Sequence, residues 1–108
     1  MKNELAFSAE VNGLIYMNQE GERGFIGWNE IESIDLSTLD AFTTEVDYIS
    51  IAHTGGTLIE VNDLDSGFDV VADALSTRFR IQPAIKHRFP LKEGGGERVF
   101  TKNGNQKG

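Results

Sequence analysis

The sequence predicts an α+β fold: a small antiparallel β split barrel or sheet of about six strands, closed by one C-terminal amphipathic helix and followed by an extra basic tail. Short segments alternate between apolar and polar side chains, glycine-containing turns separate them, and one late segment has apolar residues at helical spacing. Because the strands come first and the helix last, the helix is expected to pack on a sheet or across a barrel mouth.

A hairpin is predicted at the start of the chain. Residues 5–11 alternate as a half-buried strand does, and Asn12 and Gly13 form a two-residue turn signal because both tolerate positive φ. This loop would place Val11 opposite Leu14 and keep the apolar side chains of both strands on one face.

The next segments are less regular. Residues 25–28 are predicted to be a short apolar strand that follows a polar turn at 18–24. The apolar spacing of three and then two over residues 29–38 is compatible with a helical turn that runs into a strand, and equally with one bulged strand. Residues 37–47 are mostly polar and are predicted to be a connection.

A second hairpin joins residues 48–53 to 57–62. A three-residue turn at 54–56, with a glycine in the left-handed conformation, pairs Ile51 with Ile59, whereas a two-residue loop would place Ile51 opposite a glutamate. The three-residue turn is therefore predicted.

One helix is predicted at about residues 66–80, with Ser66 as its N-terminal cap. Pro83 limits its extent. Its apolar face comprises Phe68, Val71, Ala72, Leu75 and Phe79.

Charge divides the chain, whose net charge is −7, into an acidic body and a basic tail. Residues 1–76 carry fifteen acidic and two basic side chains, whereas residues 77–108 carry two acidic and eight basic ones. We predict a single folded domain at 1–82 and a tail at 83–108 that is an added strand, a flexible arm or a segment that folds against a partner. The tail contains five apolar residues suited to assembly, Ile85, Phe89, Leu91, Val99 and Phe100.

The sequence contains no recognisable catalytic or metal-binding pattern. It has no cysteine, and neither His53 nor His87 has a second histidine or cysteine nearby, so a thiolate site or a histidine metal site is not expected. Residues 63–67 resemble a calcium loop, but the glycine comes one residue early. We therefore expect no enzyme activity, no catalytic residue, no metal and no cofactor.

The chain is also expected to lie in the cytoplasm. Its N-terminal apolar run is interrupted at once by Ser8 and Glu10, unlike a signal peptide, and no apolar stretch of about 18 residues occurs.

Four short segments resemble one known family. They are residues 27–34 (GWNEIESI), 48–51 (YISI), 55–59 (GGTLI) and 67–71 (GFDVV). This pattern is similar to that of the bacterial pleckstrin-homology-like (PH-like) domains, which have a Trp-x-x-Ile-x-x-Ile strand, a glycine hairpin and a terminal helix that closes a split barrel. The resemblance covers residues 5–80. It implies that Trp28 packs in the core or at the barrel rim, and that the domain is a scaffold for binding without fixing its partner.

The expected function is that of a non-enzymatic interaction module with an acidic face for a basic protein partner, since opposite charges steer association. The residues expected to form this face are Glu20, Glu22, Glu30, Glu32, Asp40, Glu45 and Asp47. Phosphoinositide or membrane binding is not expected, because the first hairpin loop lacks lysine and arginine.

Two alternatives remain open. The tail is suited to self-assembly, since its apolar residues and its positive charge complement an acidic body and can pair with its own sheet edge or a neighbour's. Nucleic-acid binding through the basic residues of the tail is a weaker alternative, which the acidic body opposes. Those residues are Arg78, Arg80, Lys86 and Arg88, together with the aromatic Phe89.

Overall fold

The structure is a computed structural model that describes residues 6–17, 21–41, 44–89, 91 and 96–102, with positions 40, 41 and 44 described by their backbone only. Over these residues the strands are β1 (Ala6–Glu10), β2 (Gly13–Met17), β3 (Arg23–Gly27), β4 (Ile31–Ala41), β5 (Thr44–His53), β6 (Thr57–Asn62) and β7 (Gly96–Thr101). The helix α1 spans Phe68–Arg78, and two 3₁₀ turns span Trp28–Glu30 and Ile85–His87.

The strands form two antiparallel sheets, one ordered β1-β2-β3 and the other β6-β5-β4-β7. The predicted α+β class, with antiparallel strands and one helix, is confirmed. The described residues contain seven strands rather than about six, because the segment after the helix supplies β7.

One hydrophobic core joins both sheets, the helix and the segment that follows it. The predicted apolar face of the helix is confirmed, since four of its five residues are buried and Phe79 packs against the core. The largest fully buried side chains are Leu14, Ile26, Ile31, Ile34, Leu36, Ile49, Ile51, Val61, Val71, Leu75 and Ile85.

The first hairpin turns one residue earlier than the sequence predicts. Glu10 pairs with Gly13, so the turn residues are Val11 and Asn12, and the predicted pairing of Val11 with Leu14 is wrong. Asn12 has no positive φ, so the turn does not use the conformation that the sequence signal implied.

Packing against β3 and Trp28 explains this register. A Cβ atom at Gly13 would lie 2.2 Å from the carbonyl oxygen of Ile26, so this position requires glycine for close packing and not for the turn. The Trp28 indole N–H donates to the Val11 carbonyl over 2.9 Å, and the Trp28 backbone N–H donates to the Asn12 carbonyl over 3.1 Å. Residues distant in sequence therefore hold the turn.

The second hairpin has the predicted register. Ile51 pairs with Ile59 and His53 with Thr57, which leaves a three-residue turn. Gly55 and Gly56 both have positive φ, 91° and 80°. The glycine turn and the alternation of buried side chains require the same loop length, so the local sequence is enough to predict the register of this hairpin.

β4 and β5 form a long hairpin where the sequence predicted a connection at residues 37–47. That prediction is wrong, because the ladder continues to the pair Ala41–Thr44. Thr38 is only 3% exposed, and its hydroxyl donates to the Asp47 carboxylate over 3.0 Å. Polar residues that pair across two strands have the composition of a loop, which misled the prediction.

Residues 29–38 combine the two predicted alternatives, a helical turn that runs into a strand and a bulged strand. A 3₁₀ turn at Trp28–Glu30 runs directly into β4, and the pairing of β4 with β5 is irregular between Ile31 and Ser33. A helical turn is thus followed by a bulged strand.

The N-terminus of α1 differs from the prediction in its cap. The cap residue is Gly67, with φ 88° and no capping side chain, so the predicted Ser66 cap is wrong. The Ser66 carbonyl instead accepts the backbone N–H of Phe7 over 3.0 Å. A Cβ at Gly67 would lie 2.3 Å from the Phe7 carbonyl oxygen, so the approach of β1 requires glycine here.

The segment after residue 82 packs on the body. Ile85 is 0% exposed, and its backbone N–H donates to the buried Ser76 hydroxyl over 2.9 Å. Phe100 of β7 lies 4.4 Å from Phe79, measured between ring centroids. Of the three alternatives for the tail, the structure shows an added strand over Gly96–Thr101.

Candidate functional site

The structure divides the predicted acidic face into separate groups. Glu30 and Glu32 lie where β4 begins, and Glu45 and Asp47 lie where β5 begins. Because these strands are antiparallel, the two pairs occupy opposite ends of the hairpin, about 25 Å apart at roughly 3.3 Å per residue. The two pairs therefore do not form one compact cluster.

The remaining acidic residues of the prediction add little to either group. Glu20 lies outside the described residues, and Asp40 is described by its backbone only, which pairs with Glu45. Glu22 is exposed just before β3. The Glu30 carboxylate accepts the Gly27 backbone N–H over 3.0 Å, so it stabilises the 3₁₀ turn.

The five apolar tail residues lie against the core of their own chain. Ile85 is fully buried, and the other four, Phe89, Leu91, Val99 and Phe100, are partly buried and packed on the core cluster. In this conformation they do not form an exposed assembly surface.

Three of the basic residues predicted to bind nucleic acid make contacts with different parts of their own chain. Arg78 lies over the Trp28 ring, 6.0 Å from its centroid, and Lys86 lies 3.6 Å from Asp73. Arg88 donates to the carbonyls of residues 82 and 83 and forms an ion pair with Glu97. These contacts are spread over different parts of the surface and do not form one basic strip.

Sequence analysis did not predict the acidic cleft that opens between the start of β5 and the start of α1. Its volume is about 600 Å³. The residues that line it are Asp47, Asp63, Asp65, Gly67, Phe68, Asp69, Val70, Lys86 and Phe89. Of these, Asp47 belongs to the predicted acidic face, Phe89 to the predicted assembly residues, and Lys86 and Phe89 to the residues considered for nucleic-acid binding.

Asp47 is held in position on one side of the acidic cleft. The Thr38 hydroxyl donates to its carboxylate over 3.0 Å and accepts the Leu91 backbone N–H over 2.9 Å. Asp47 is therefore tied through Thr38 to the chain that follows the helix.

Asp63 and Asp65 belong to the turn after β6. Asp65 is buried, with 8% of the residue exposed, and its carboxylate accepts the Asn62 backbone N–H over 2.9 Å, which closes the turn. Asp63 is exposed, and its backbone N–H donates to the Asp47 carbonyl over 3.0 Å. Reduced solvation, and secondly the nearby Asp47 charge, raise the pKa of the Asp63 carboxyl above its ordinary value.

Aromatic and aliphatic side chains complete the acidic cleft. Phe68 and Phe89 pack at a centroid distance of 6.0 Å, and Val70 is exposed beside them. Lys86 is the one cation among the described lining residues, and its ammonium lies 3.6 Å from Asp73, which does not line the cleft. The site thus combines an apolar wall with several carboxylates, among them Asp63, whose charge is disfavoured.

No other chemistry is grouped in the described part of the chain. Within that part, no three histidine, cysteine, aspartate or glutamate side chains are close enough together to hold a metal ion. The buried Nε2 atom of His53 has no hydrogen-bond partner, but His53 lies at the end of β5 remote from Asp47. His87 lines a different depression, next to Ser76 and Pro83.

The fold and the cleft define a small two-sheet α+β protein with an acidic, aromatic-walled depression. No protein-family model, curated protein or solved structure matches this chain. Among the described residues, no helix has the length and apolar character needed to cross a membrane.

Proposed function

We propose that this protein is a non-enzymatic interaction module of the PH-like kind, and that its acidic cleft binds a basic segment of a partner protein. Charge complementarity supports this class of partner, since a cation placed between Asp47 and Asp63 would stabilise a carboxylate whose charge is disfavoured by reduced solvation and secondly by Asp47, which together raise the Asp63 pKa. The grouping of Asp47, Asp63 and Asp69 with an apolar wall in one cleft is the observation that carries the proposal.

The PH-like assignment draws support from Trp28 and α1. Trp28 is buried at the start of β4 and meets Phe79 edge-on, at 6.3 Å between ring centroids and 77° between ring planes. An aromatic contact between the signature tryptophan and the end of the helix is what a helix that closes a split barrel would make. We propose that the two sheets and α1 form such a barrel.

The lining favours arginine over lysine in the partner. A guanidinium group is planar and weakly hydrated, so it can stack on an aromatic face while it donates to carboxylates. Phe89 supplies a half-buried ring, backed by the buried Phe68, and Asp47 and Asp63 supply carboxylates at the same cleft. The expected recognition element is an arginine within an extended basic segment.

Peptide binding by the full-length protein tests this function. A dye-labelled nine-residue peptide with four arginines is titrated at low salt and followed by fluorescence anisotropy, alongside peptides in which lysine or glutamate replaces arginine. The D47N/D63N variant is compared with E30Q/E32Q, which loses the same charge at the other end of the hairpin.

We expect the affinity of D47N/D63N for the arginine peptide to be at least about fivefold lower than that of wild type. For E30Q/E32Q we expect a loss of less than about twofold, because this variant changes the net charge equally but keeps the carboxylates that contact the peptide. Equal losses in both variants would show that only net charge attracts the peptide and would overturn the cleft as the site. So would equal affinity for the arginine and glutamate peptides.

A further inference from the structure

β7 is the least embedded strand of the larger sheet. It pairs only with β4, at the sheet edge, through the pairs Ile34–Phe100 and Asp35–Arg98, and the register is irregular between them. All its side chains are exposed or half-buried. Removing this strand therefore sacrifices less core packing than removing any strand inside the sheet.

Contacts with charged side chains hold β7 in place. The Arg98 guanidinium donates to both oxygens of the Asp35 carboxylate, over 2.9 and 3.2 Å. The Lys102 ammonium donates to the Asn29 carbonyl over 2.6 Å. These groups are exposed at an edge, so an identical strand from another molecule could reach the same partners.

The charge distribution favours such an encounter. Residues 77–108 are basic and residues 1–76 are strongly acidic, so the tail of one copy is attracted to the body of another. In the sequence, Gly94 and Gly95 precede the strand, which itself begins at Gly96.

We propose that β7 exchanges between two copies of this chain, so that each β4 edge is filled by the strand of its partner. The exchanged dimer makes the same contacts as the single chain, and the balance between them depends on concentration. Leu91 is anchored to Thr38, and the five residue steps from Leu91 to Gly96 span at most about 17 Å. The two β4 edges must therefore face each other across the two-fold axis. The acidic cleft takes no part in this exchange.

A charge exchange between full-length chains tests this proposal. In D35R, and separately in R98D, like charges face each other across β4 and β7, within one chain and in any homodimer. In an equal mixture, reciprocal exchange restores opposite charges at both edges. The variants, one labelled with ¹⁵N, are mixed unfolded, refolded together at high concentration and low salt, and examined by light scattering and native mass spectrometry. The double variant D35R/R98D, with the pair reversed within one chain, is the control.

We expect the mixture to form a heterodimer of twice the 11.9 kDa chain mass and each single variant to remain mainly at that mass. Wild type refolded at the same concentration is expected to contain the dimer at a smaller fraction. A mixture or a wild-type sample that stays entirely at the single-chain mass would overturn the proposal. It would also be overturned if D35R/R98D were no more stable than the single variants, since the ion pair would then not hold β7. Peptide binding at the acidic cleft is measured separately, so either result leaves that test intact.

Discussion

The buried hydroxyl of Thr38 donates to the carboxylate of Asp47 over 3.0 Å, across the hairpin of β4 and β5. The same oxygen accepts the backbone N–H of Leu91, so one side chain joins two strands to the segment after the helix. The contact with Asp47 places a carboxylate at the edge of the acidic cleft. Together, the two hydrogen bonds satisfy the hydroxyl of Thr38, which is a buried polar group.

Replacement of Thr38 by valine is expected to reduce the free energy of unfolding by about 1–3 kcal/mol, because the Leu91 N–H and the Asp47 carboxylate each lose a partner. Urea unfolding measures the change. Thr38→Ser keeps the hydroxyl and is expected to lose less than Thr38→Val. Equal destabilisation by both variants would contradict this prediction, because Thr38→Val loses only the hydroxyl and Thr38→Ser loses only the methyl group.

Gly67→Ala is expected to be strongly destabilising. The left-handed backbone alone costs an alanine roughly 1–2 kcal/mol, and the added Cβ would also lie 2.3 Å from the Phe7 carbonyl oxygen. Gly21→Ala is the matched control, since Gly21 has φ 87° but nothing within 4 Å of the added atom. The Gly67 variant should therefore have the lower thermal midpoint. Equal midpoints would show that β1 does not pack against this turn as described.

The pKa of the Asp63 carboxyl is expected to be higher than that of an ordinary aspartate, which is about 4. The D47N substitution should lower the Asp63 pKa towards that ordinary value. Carbon-detected NMR of the side-chain carboxyl measures both values. An Asp63 pKa that is the same with and without the Asp47 charge would contradict the electrostatic account of the cleft.

The same shift predicts how stability varies with pH. A folded-state pKa above the unfolded one means that the native protein binds the proton more tightly, so this contribution is present at low pH and is lost as the pH rises through the titration of Asp63. Relative to wild type, D63N should therefore gain stability as the pH rises from below the ordinary aspartate pKa through the titration of Asp63. Urea unfolding at several pH values measures it, and a gain that shrinks as the pH rises would contradict the sign.

Ile85→Ala is expected to lower the free energy of unfolding by about 2–5 kcal/mol, because it opens a cavity at a fully buried position. Leu58→Ala, at a side chain that is 57% exposed, should change it by less than about 1 kcal/mol. Urea denaturation of both variants tests whether the segment after residue 82 belongs to the folded unit. A negligible loss for Ile85→Ala would show that it does not.

Sequence reasoning succeeded where one local constraint was enough. The turn before β6 was predicted in its true register, because the glycines and the alternation of isoleucines required the same loop length. The buried face of α1 followed from helical spacing alone.

Sequence reasoning failed where distant contacts decide the structure. Gly13 was predicted to be a turn residue, but its smallness serves close packing against Ile26 and Gly27. The hairpin at residues 37–47 was predicted to be a connection, since the pairing of Thr38 with Asp47 has no signature in composition. The acidic cleft was not predicted, because its lining comes from three separate stretches of the sequence that only the fold brings together.

The most direct test of the proposed function is to map where a basic peptide touches the protein. ¹⁵N-labelled full-length protein is titrated at low salt with the unlabelled arginine peptide, and backbone amide shifts are followed. We predict that the largest shifts cluster at Asp47, Asp63, Gly67 and Asp69, with little change at Glu30 and Glu32. Shifts that spread evenly over all acidic positions, or that centre on Glu30 and Glu32, would contradict the acidic cleft as the binding site.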